Sequence, residues 1–150
     1  MLPNEKNDLL YLINILEYTG KIWRYTEKTN DAEELFEMND QMNLNASLTL
    51  LANIGENVSK LSDNLKYEFS NIEWQKIKEF RNRIVHDYVG IDLAIVYEII
   101  TNDLQVLRDE IVKIINEKTK QNIFDVEEIN ICKNSVYYSH IDFSEFLSIK

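Results

Sequence analysis

Apolar residues recur at intervals of three and four along most of the chain, as they do in helices that bury one face. The pattern predicts a first helix over residues 5–28. Gly20 lies inside this helix and lowers its predicted stability, because glycine has a low helix propensity. Asn30 and Asp31 indicate a break and a new helix cap before residues 32–36. A further helix is predicted over residues 40–61. The buried faces of the two long helices are predicted to contain Leu9, Leu12, Ile13, Leu16 and Trp23, and Leu44, Leu48, Leu51, Ile54 and Val58.

The C-terminal half continues the same periodicity after a loop over residues 63–71, which has room for one short helical turn. Ile77, Phe80 and Ile84 predict the apolar stripe of a helix that Ser70 or Asn71 could cap. Gly90 is predicted to end this helix, because glycine suits a C-terminal cap. The next helix is predicted over residues 92–118, with core positions at Ile95, Ile99, Leu104, Leu107, Ile111 and Ile114.

The tail from residue 120 onwards has a different pattern. Residues 129–131 alternate between apolar and polar, 133–134 suit a turn, and 136–138 are rich in strand-forming side chains. These features allow a small hairpin, and residues 144–147 allow a terminal helical turn. The tail is therefore predicted to be an extra element that packs on the bundle or on a partner.

Taken together, the pattern predicts an all-α fold, an up-and-down bundle of four to five helices joined by short loops. One proline and three glycines in 150 residues leave little room for a turn-rich β architecture. The length is that of one domain with a single core. We assign residues 1–118 to the helical domain and residues 119–150 to a C-terminal extension.

Charge limits the classes of partner. The chain has 16 basic and 26 acidic side chains, and its net charge of −10 should repel nucleic acid unless basic groups are gathered locally. Its single cysteine, Cys132, excludes an internal disulfide, and no signal peptide is recognisable, so we expect a cytoplasmic protein. No apolar run reaches the roughly 20 residues of a membrane span, so no membrane association is expected.

The candidate chemistry is concentrated in residues 81–88. Asn82 and His86 are four residues apart, so their side chains can meet on one helix face. Arg81 and Tyr88 are seven apart and would return to nearly the same angle on that helix. His86 suits proton transfer at neutral pH, and the competing interpretation is a histidine satisfied by Asn82 or Asp87.

The spacing of Arg81, His86 and Tyr88 resembles the signature of the HepT-like ribonuclease toxins, which belong to the HEPN superfamily of helical domains. The flanking sequences agree with this resemblance, both before the motif at 72–74 and after it at 90–93 and 99–104. The close resemblance covers residues 72–107, and a looser similarity appears at 53–56 and 60–62. It implies a helical bundle of the HEPN type.

The resemblance also implies a metal-independent endoribonuclease that needs no cofactor. The 2′-hydroxyl of RNA attacks the adjacent phosphate, so the enzyme supplies proton transfer and a cation for the charged phosphorane. His86 matches the proton-transfer residue of the family, and Arg81 matches the cation. Asn82 would support them by orienting His86 or by binding phosphate, and the alternative is an ordinary amide on the helix surface. One motif histidine per chain leaves the role of the second proton carrier unfilled, and the homodimer typical of the family would provide it.

Regulation is implied by the same resemblance. In the family, the tyrosine that matches Tyr88 is adenylylated by a cognate minimal nucleotidyltransferase antitoxin, which would block the site with a bulky anion. The alternative is a packing tyrosine at the helix end. Lys76, Lys78 and Arg83 make the motif helix locally basic and are predicted to contact the backbone of an RNA substrate such as tRNA or mRNA, although they also suit a solvated face.

A second function remains open from the sequence. A non-catalytic HEPN protein that binds a nucleotidyltransferase and its nucleotide or substrate would share the bundle and a similar histidine-bearing helix, and the net charge of −10 favours it. No metal site is predicted, because Cys132 and His140 are not part of a Cys/His cluster. Tyr137, Tyr138 and His140 could contact RNA bases, but packing is the favoured role for them.

Overall fold

The computed structural model describes residues 7–146, and these residues form helices and connecting turns without any β-strand. This confirms the predicted all-α class. The described α-helices are α1 Asp8–Thr26, α2 Ala32–Glu37, α3 Met42–Lys60, α4 Asp63–Glu68, α5 Trp74–His86, α6 Leu93–Glu98, α7 Leu104–Lys120 and α8 Val126–Lys133. Shorter segments are the 3-10 turns Met38–Gln41, Val136–Tyr138 and Phe143–Glu145 and the π-helical segment Ile99–Asp103.

Helix α3 is the centre of the bundle, because it packs against α1 on one side and against α5 on the other. The predicted core faces of α1 and α3 are buried, apart from Trp23, which is half-buried. Gly20 does not interrupt α1, which runs through it; residues 5 and 6 of the predicted first helix lie outside the described residues. None of the helices between residues 7 and 146 combines the length and the apolar character needed to cross a lipid bilayer.

Capping residues explain where several helices begin. Asp31 accepts a hydrogen bond from the Glu34 backbone amide at 2.8 Å, which confirms the predicted cap of α2. Helix α3 begins at Met42 rather than at residue 40, because residues 39–41 all adopt the left-handed conformation, with φ between 48° and 68°. The predicted short turn in the loop after α3 is α4, which is capped by the Ser62 hydroxyl.

The predicted helix over residues 92–118 is interrupted by the π-helical segment Ile99–Asp103. A π-turn inserts one extra residue into the helix, so positions before it move by one in the buried pattern. The buried positions are shifted by one residue from the predicted ones: Val96 and Ile100 are buried, whereas the predicted core residue Ile95 is exposed. Downstream of the π-turn, the predicted core positions Leu104, Leu107, Ile111 and Ile114 are all buried.

The predicted hairpin in the extension is wrong. Residues 126–133 form α8, which is capped by Asp125 through a 2.9 Å hydrogen bond from the Glu127 amide. Ile129 is completely buried while Ile131 is exposed, which fits a helix and not a strand whose alternate residues share a face. A 3-10 turn, Phe143–Glu145, lies at the predicted terminal helical turn, of which Leu147 lies outside the described residues.

The described part of the extension packs on the bundle, against α1 and α7. The Tyr138 hydroxyl donates a 2.7 Å hydrogen bond to Asn14, and Asn116 donates one of 3.1 Å to the Glu145 carbonyl. Phe143 and Phe146 are buried there with their rings edge to face. Because these contacts tie the extension to α1 and α7, they leave the exposed side of α5 uncovered.

Candidate active site

The motif helix α5 begins at Trp74, which is buried and donates a 3.1 Å hydrogen bond from its indole to the Phe69 carbonyl. Glu73 occupies the N-cap position without a capping hydrogen bond from its side chain. The predicted caps, Ser70 and Asn71, are therefore wrong. They lie in the turn before the helix, where the Asn71 amide donates to Glu110 instead.

The helix ends at His86, earlier than predicted. The Asp87 amide closes the last turn with a 2.8 Å hydrogen bond to the Arg83 carbonyl, and Asp87 itself leaves the helical conformation. Gly90 is not a left-handed cap. A Cβ atom at Gly90 would lie 2.6 Å from the Asp87 carboxylate, so a larger residue at this position would require that side chain to move.

Tyr88 consequently lies in the loop after α5 and not on the helix. The predicted alignment of Tyr88 with Arg81 around one helix is wrong, because the regular geometry stops two residues earlier. The Tyr88 ring is 47% exposed, and its hydroxyl donates a hydrogen bond to the Asn45 side chain in the first turn of α3. Asn45 thus fixes the position of an otherwise accessible phenol.

Arg81 faces α3 at the closest approach of the two helices. A Cβ atom at Gly55 would lie 2.3 Å from the Arg81 Cβ, so only glycine allows this contact. The Arg81 guanidinium makes a 3.0 Å ion pair with Glu56 through Nη2 and donates a 3.0 Å hydrogen bond to Asn82 through Nη1. Its side chain remains 30% exposed, so the cation is held in place but accessible to solvent.

His86 is exposed on the outer side of α5. At 3.6 residues per turn it lies about 40° from Asn82 and about 140° from Arg81 around the helix axis. Within residues 7–146 it has no hydrogen-bonding or ionic partner, so neither Asn82 nor Asp87 satisfies it. Asn82 bonds to Arg81 instead, and it therefore lies between the guanidinium and the imidazole.

The remaining predicted cations of α5 differ in their availability. Lys76 pairs with Glu73 at 3.1 Å. Lys78 and Arg83 are exposed and have no ionic partner in the part of the chain that the structure describes. The outer face of α5 therefore presents these two cations against one exposed carboxylate, Glu79, which leaves a local excess of one positive charge in a chain of net charge −10.

The aromatic residues of the extension do not join this site. Tyr138 and His140 contact α1, while Tyr137 is exposed on the extension itself. Burial raises the pKa of Tyr138, and the hydrogen bonds from Ser144 lower the pKa of Asp142. No group of three or more His, Cys, Asp or Glu side chains between residues 7 and 146 is arranged to hold a metal ion.

The candidate site is open rather than enclosed. One cavity of about 220 Å³ lies between α1, α7 and the extension, and another of about 320 Å³ lies beside the π-turn. Neither cavity is lined by a residue of α5. A substrate cleft at His86 would thus need a second surface to close it.

Three site residues were missed by the sequence reasoning: Asn45, Gly55 and Glu56. All three lie on α3, more than 20 residues before the motif, and only the packing of α3 on α5 brings them to it. A signal was nevertheless present, since an isolated glycine within a helical pattern often marks a close approach.

The comparisons with known proteins point to one family. The sequence model of the family described as ribonuclease HepT-like matches residues 15–114, which include α3 and α5. A protein of Methanocaldococcus jannaschii, whose name joins a gamma-glutamylcyclotransferase to a provisionally assigned RNase, is 31% identical over 81% of this chain. The chain spans only about half of that relative, 54% of its length.

Shorter relatives are covered almost completely. Two further proteins of Methanocaldococcus jannaschii, each provisionally named an RNase, are both 28% identical to this chain. The aligned regions cover 67% and 71% of this chain and 90% and 86% of the relatives. No solved structure matches the chain significantly.

Proposed function

Because the chain belongs to the ribonuclease HepT-like family, whose sequence model spans residues 15–114, we propose that it is a metal-independent endoribonuclease that uses Arg81 and His86. The predicted resemblance and the ribonuclease class are confirmed at the level of this family. The observation that supports the specific proposal is that one helix carries both an exposed His86 without a partner in residues 7–146 and an accessible Arg81 held by Glu56.

The proposed cleavage step needs two histidines and one cation. A histidine accepts the proton of the 2′-hydroxyl as its oxygen attacks the phosphorus, and the bond from phosphorus to the 5′-oxygen breaks. A second histidine protonates the leaving 5′-oxygen, so the products carry a 2′,3′-cyclic phosphate and a 5′-hydroxyl. Arg81 stabilises the negative charge that develops on the phosphorane, because its guanidinium offers several donors in a fixed plane.

A homodimer supplies the second histidine in this proposal. His140, the other histidine of the chain, lies in the extension with its Nδ1 atom held by Glu17 on α1, so it is not part of the α5 surface. The residues around His86 suit a two-fold contact, because Val85 and Val89 are apolar side chains exposed at 50% and 96%. A contact between two α5 helices would bring two His86 side chains to one cleft and would also close the open site.

We place the protein in a toxin–antitoxin pair whose nucleotidyltransferase antitoxin adenylylates Tyr88. Tyr88 is accessible, and its hydroxyl is oriented by Asn45 near the end of the motif helix. An added nucleotide would bring negative charge and bulk two residues from His86, where it would repel the RNA backbone. The RNA substrate is proposed to be tRNA or mRNA, contacted through Lys78 and Arg83.

A non-catalytic role as the binding partner of a nucleotidyltransferase is the second candidate. It is favoured by the net charge of −10 and by the ion pair in which Glu56 already neutralises Arg81. Under this alternative Arg81 and His86 would serve binding, and their replacement would leave RNA metabolism unchanged.

Growth of cells that express the protein without an antitoxin separates the two candidates. Wild type is expected to arrest growth, and His86→Ala and Arg81→Ala are expected not to. Arg24→Ala is the matched control, because it removes an exposed arginine from α1, far along the chain from the motif. Equal growth of all four strains, with soluble and dimeric protein in each, would overturn the ribonuclease proposal in favour of the binding partner.

A further inference from the structure

The ion pair between Glu56 and Arg81 joins the motif helix to the centre of the bundle. Glu56 is the only acidic residue of α3, and its carboxylate lies 3.0 Å from Nη2 of Arg81. We propose that Glu56 is a positioning residue of the ribonuclease site, which holds the Arg81 guanidinium in the orientation that the phosphorane requires. This inference rests on the proposed function and adds to it a residue outside the motif.

The arginine is held at both ends of its side chain. Gly55 brings the backbone of α3 against the Arg81 Cβ, which fixes the base of the side chain. Glu56, the next residue along α3, holds one terminal nitrogen, and Asn82 accepts a hydrogen bond from the other. Two of the five guanidinium N–H groups are engaged in this way, so the remaining donors are free for phosphate oxygens.

The position of Glu56 suits orientation better than stability. Both partners are partly exposed, at 30% for Arg81 and 45% for Glu56, and such ion pairs contribute little to folding. A fixed guanidinium is valuable for catalysis, because its donors do not have to be ordered when the transition state forms. A long arginine side chain without Glu56 would sample several rotamers around Asn82.

Glu56 should affect binding and catalysis in opposite directions. Its negative charge competes with the substrate phosphate for Arg81 in the ground state, so its removal should strengthen RNA binding. Its removal also releases the guanidinium from the productive orientation, so turnover should fall. This opposition distinguishes a positioning residue from one that only supports the fold.

The test compares purified wild type with Glu56→Gln, which keeps size and removes charge. Glu110→Gln is the matched control, because it removes the charge of a carboxylate on α7 that pairs with Lys113 and Asn71 and has no ionic contact with Arg81. For Glu56→Gln we expect kcat to fall at least about tenfold, KM to fall, and the melting temperature to stay within about 2 °C of wild type. An unchanged or increased kcat would overturn the proposal, as would kinetics that match the Glu110→Gln control.

A second measurement keeps this inference separate from the proposed function. In wild type, the side-chain Nη–H groups of Arg81 should give resolved NMR signals, because contacts with Glu56 and Asn82 slow rotation of the guanidinium. In Glu56→Gln these signals should broaden or merge, while in Glu110→Gln they should persist. If wild type cleaves no RNA, the ribonuclease proposal fails whatever the spectra show. If the Arg81 signals are identical in all three proteins, Glu56 does not position Arg81.

Discussion

The chain has two histidines, and the regions around them are built in opposite ways. His140 lies in the extension, where its backbone amide and its Nδ1 atom lie 2.8 and 2.7 Å from the two carboxylate oxygens of Glu17, a residue that is 97% buried. His86 lies on the surface of α5 without any partner in the described chain. One ring nitrogen of His140 is therefore engaged within the protein, whereas neither ring nitrogen of the exposed His86 is engaged within residues 7–146.

Each of the two regions also packs closely against a glycine of the bundle. Gly20 on α1 leaves room for the carbonyl of His140, and Gly55 on α3 leaves room for the side chain of Arg81. Both permit a close approach, but the first joins the extension to the bundle and the second joins the motif helix to α3. A helix glycine thus allows the extension to pack on α1 in one region and allows Arg81, a candidate catalytic cation, to pack on α3 in the other.

Replacing each histidine by alanine should give the largest difference in RNA cleavage and stability between the two regions. His86→Ala is expected to lower kcat for RNA cleavage by at least about a hundredfold, because it removes the proton carrier. Its melting temperature should remain that of wild type, since the exposed His86 side chain makes no hydrogen bond or ion pair within residues 7–146. Steady-state cleavage of a labelled RNA and thermal unfolding measure the two quantities.

His140→Ala is the opposite member of this pair. It should cost about 1–3 kcal/mol of unfolding free energy, because the buried Glu17 carboxylate loses the imidazole and keeps only the backbone amide of residue 140 and Lys21, while kcat stays within about twofold of wild type. The contrast breaks down if His140→Ala abolishes cleavage in a folded protein, or if His86→Ala unfolds it.

The glycines give the second test. Gly55→Ala would place its Cβ 2.3 Å from the Arg81 Cβ, and Gly20→Ala would place its Cβ 2.2 Å from the His140 carbonyl oxygen. Each should cost about 1–3 kcal/mol of stability through overpacking, but only Gly55→Ala should also reduce cleavage. Urea unfolding and RNA cleavage are measured on both variants. Equal activity in the two variants would show that the approach of α3 to Arg81 does not matter for catalysis.

The smallest expected effect concerns the extension at acid pH. The hydrogen bonds from Ser144 lower the pKa of Asp142 below its ordinary value of 3.8, so Asp142 contributes stability above that value. This contribution is lost as the pH falls through the lowered pKa. Asp142→Asn should therefore unfold with a shallower acid dependence below pH 4, measured as urea midpoints across the acid range. An unchanged acid dependence would contradict the assignment.

The periodicity of apolar residues was sufficient to predict the bundle and most of its core. It failed where one local event changed the pattern. The π-turn moved the buried positions from Ile95 to Val96, and the cap at Asp125 selected a helix where alternation suggested a strand. The π-turn is accompanied by a contact from a distant segment, the hydrogen bond from Trp23 to the Ile100 carbonyl, which leaves little local signature. The Asp125 cap is a local contact, and the alternation at residues 129–131 outweighed it in the prediction.

Only those candidate-site residues that lie close together in the sequence were predicted. Arg81, Asn82 and His86 are close in sequence and share α5, so their spacing was informative. Tyr88 was placed on the helix because Gly90 looked like its cap, although the helix ends at His86. The contributions of Asn45 and Glu56 arise from the packing of α3 on α5, which no spacing within the motif can indicate.

The central claim is that Arg81 and His86 cleave RNA without a metal ion. The most direct measurement incubates purified protein with a defined RNA in excess EDTA and determines the chemistry of the new ends by mass spectrometry. We predict 2′,3′-cyclic phosphate and 5′-hydroxyl ends with wild type, and none with His86→Ala. Absence of cleavage by the folded protein, or cleavage that requires added Mg²⁺ and leaves 5′-phosphate ends, would contradict the account.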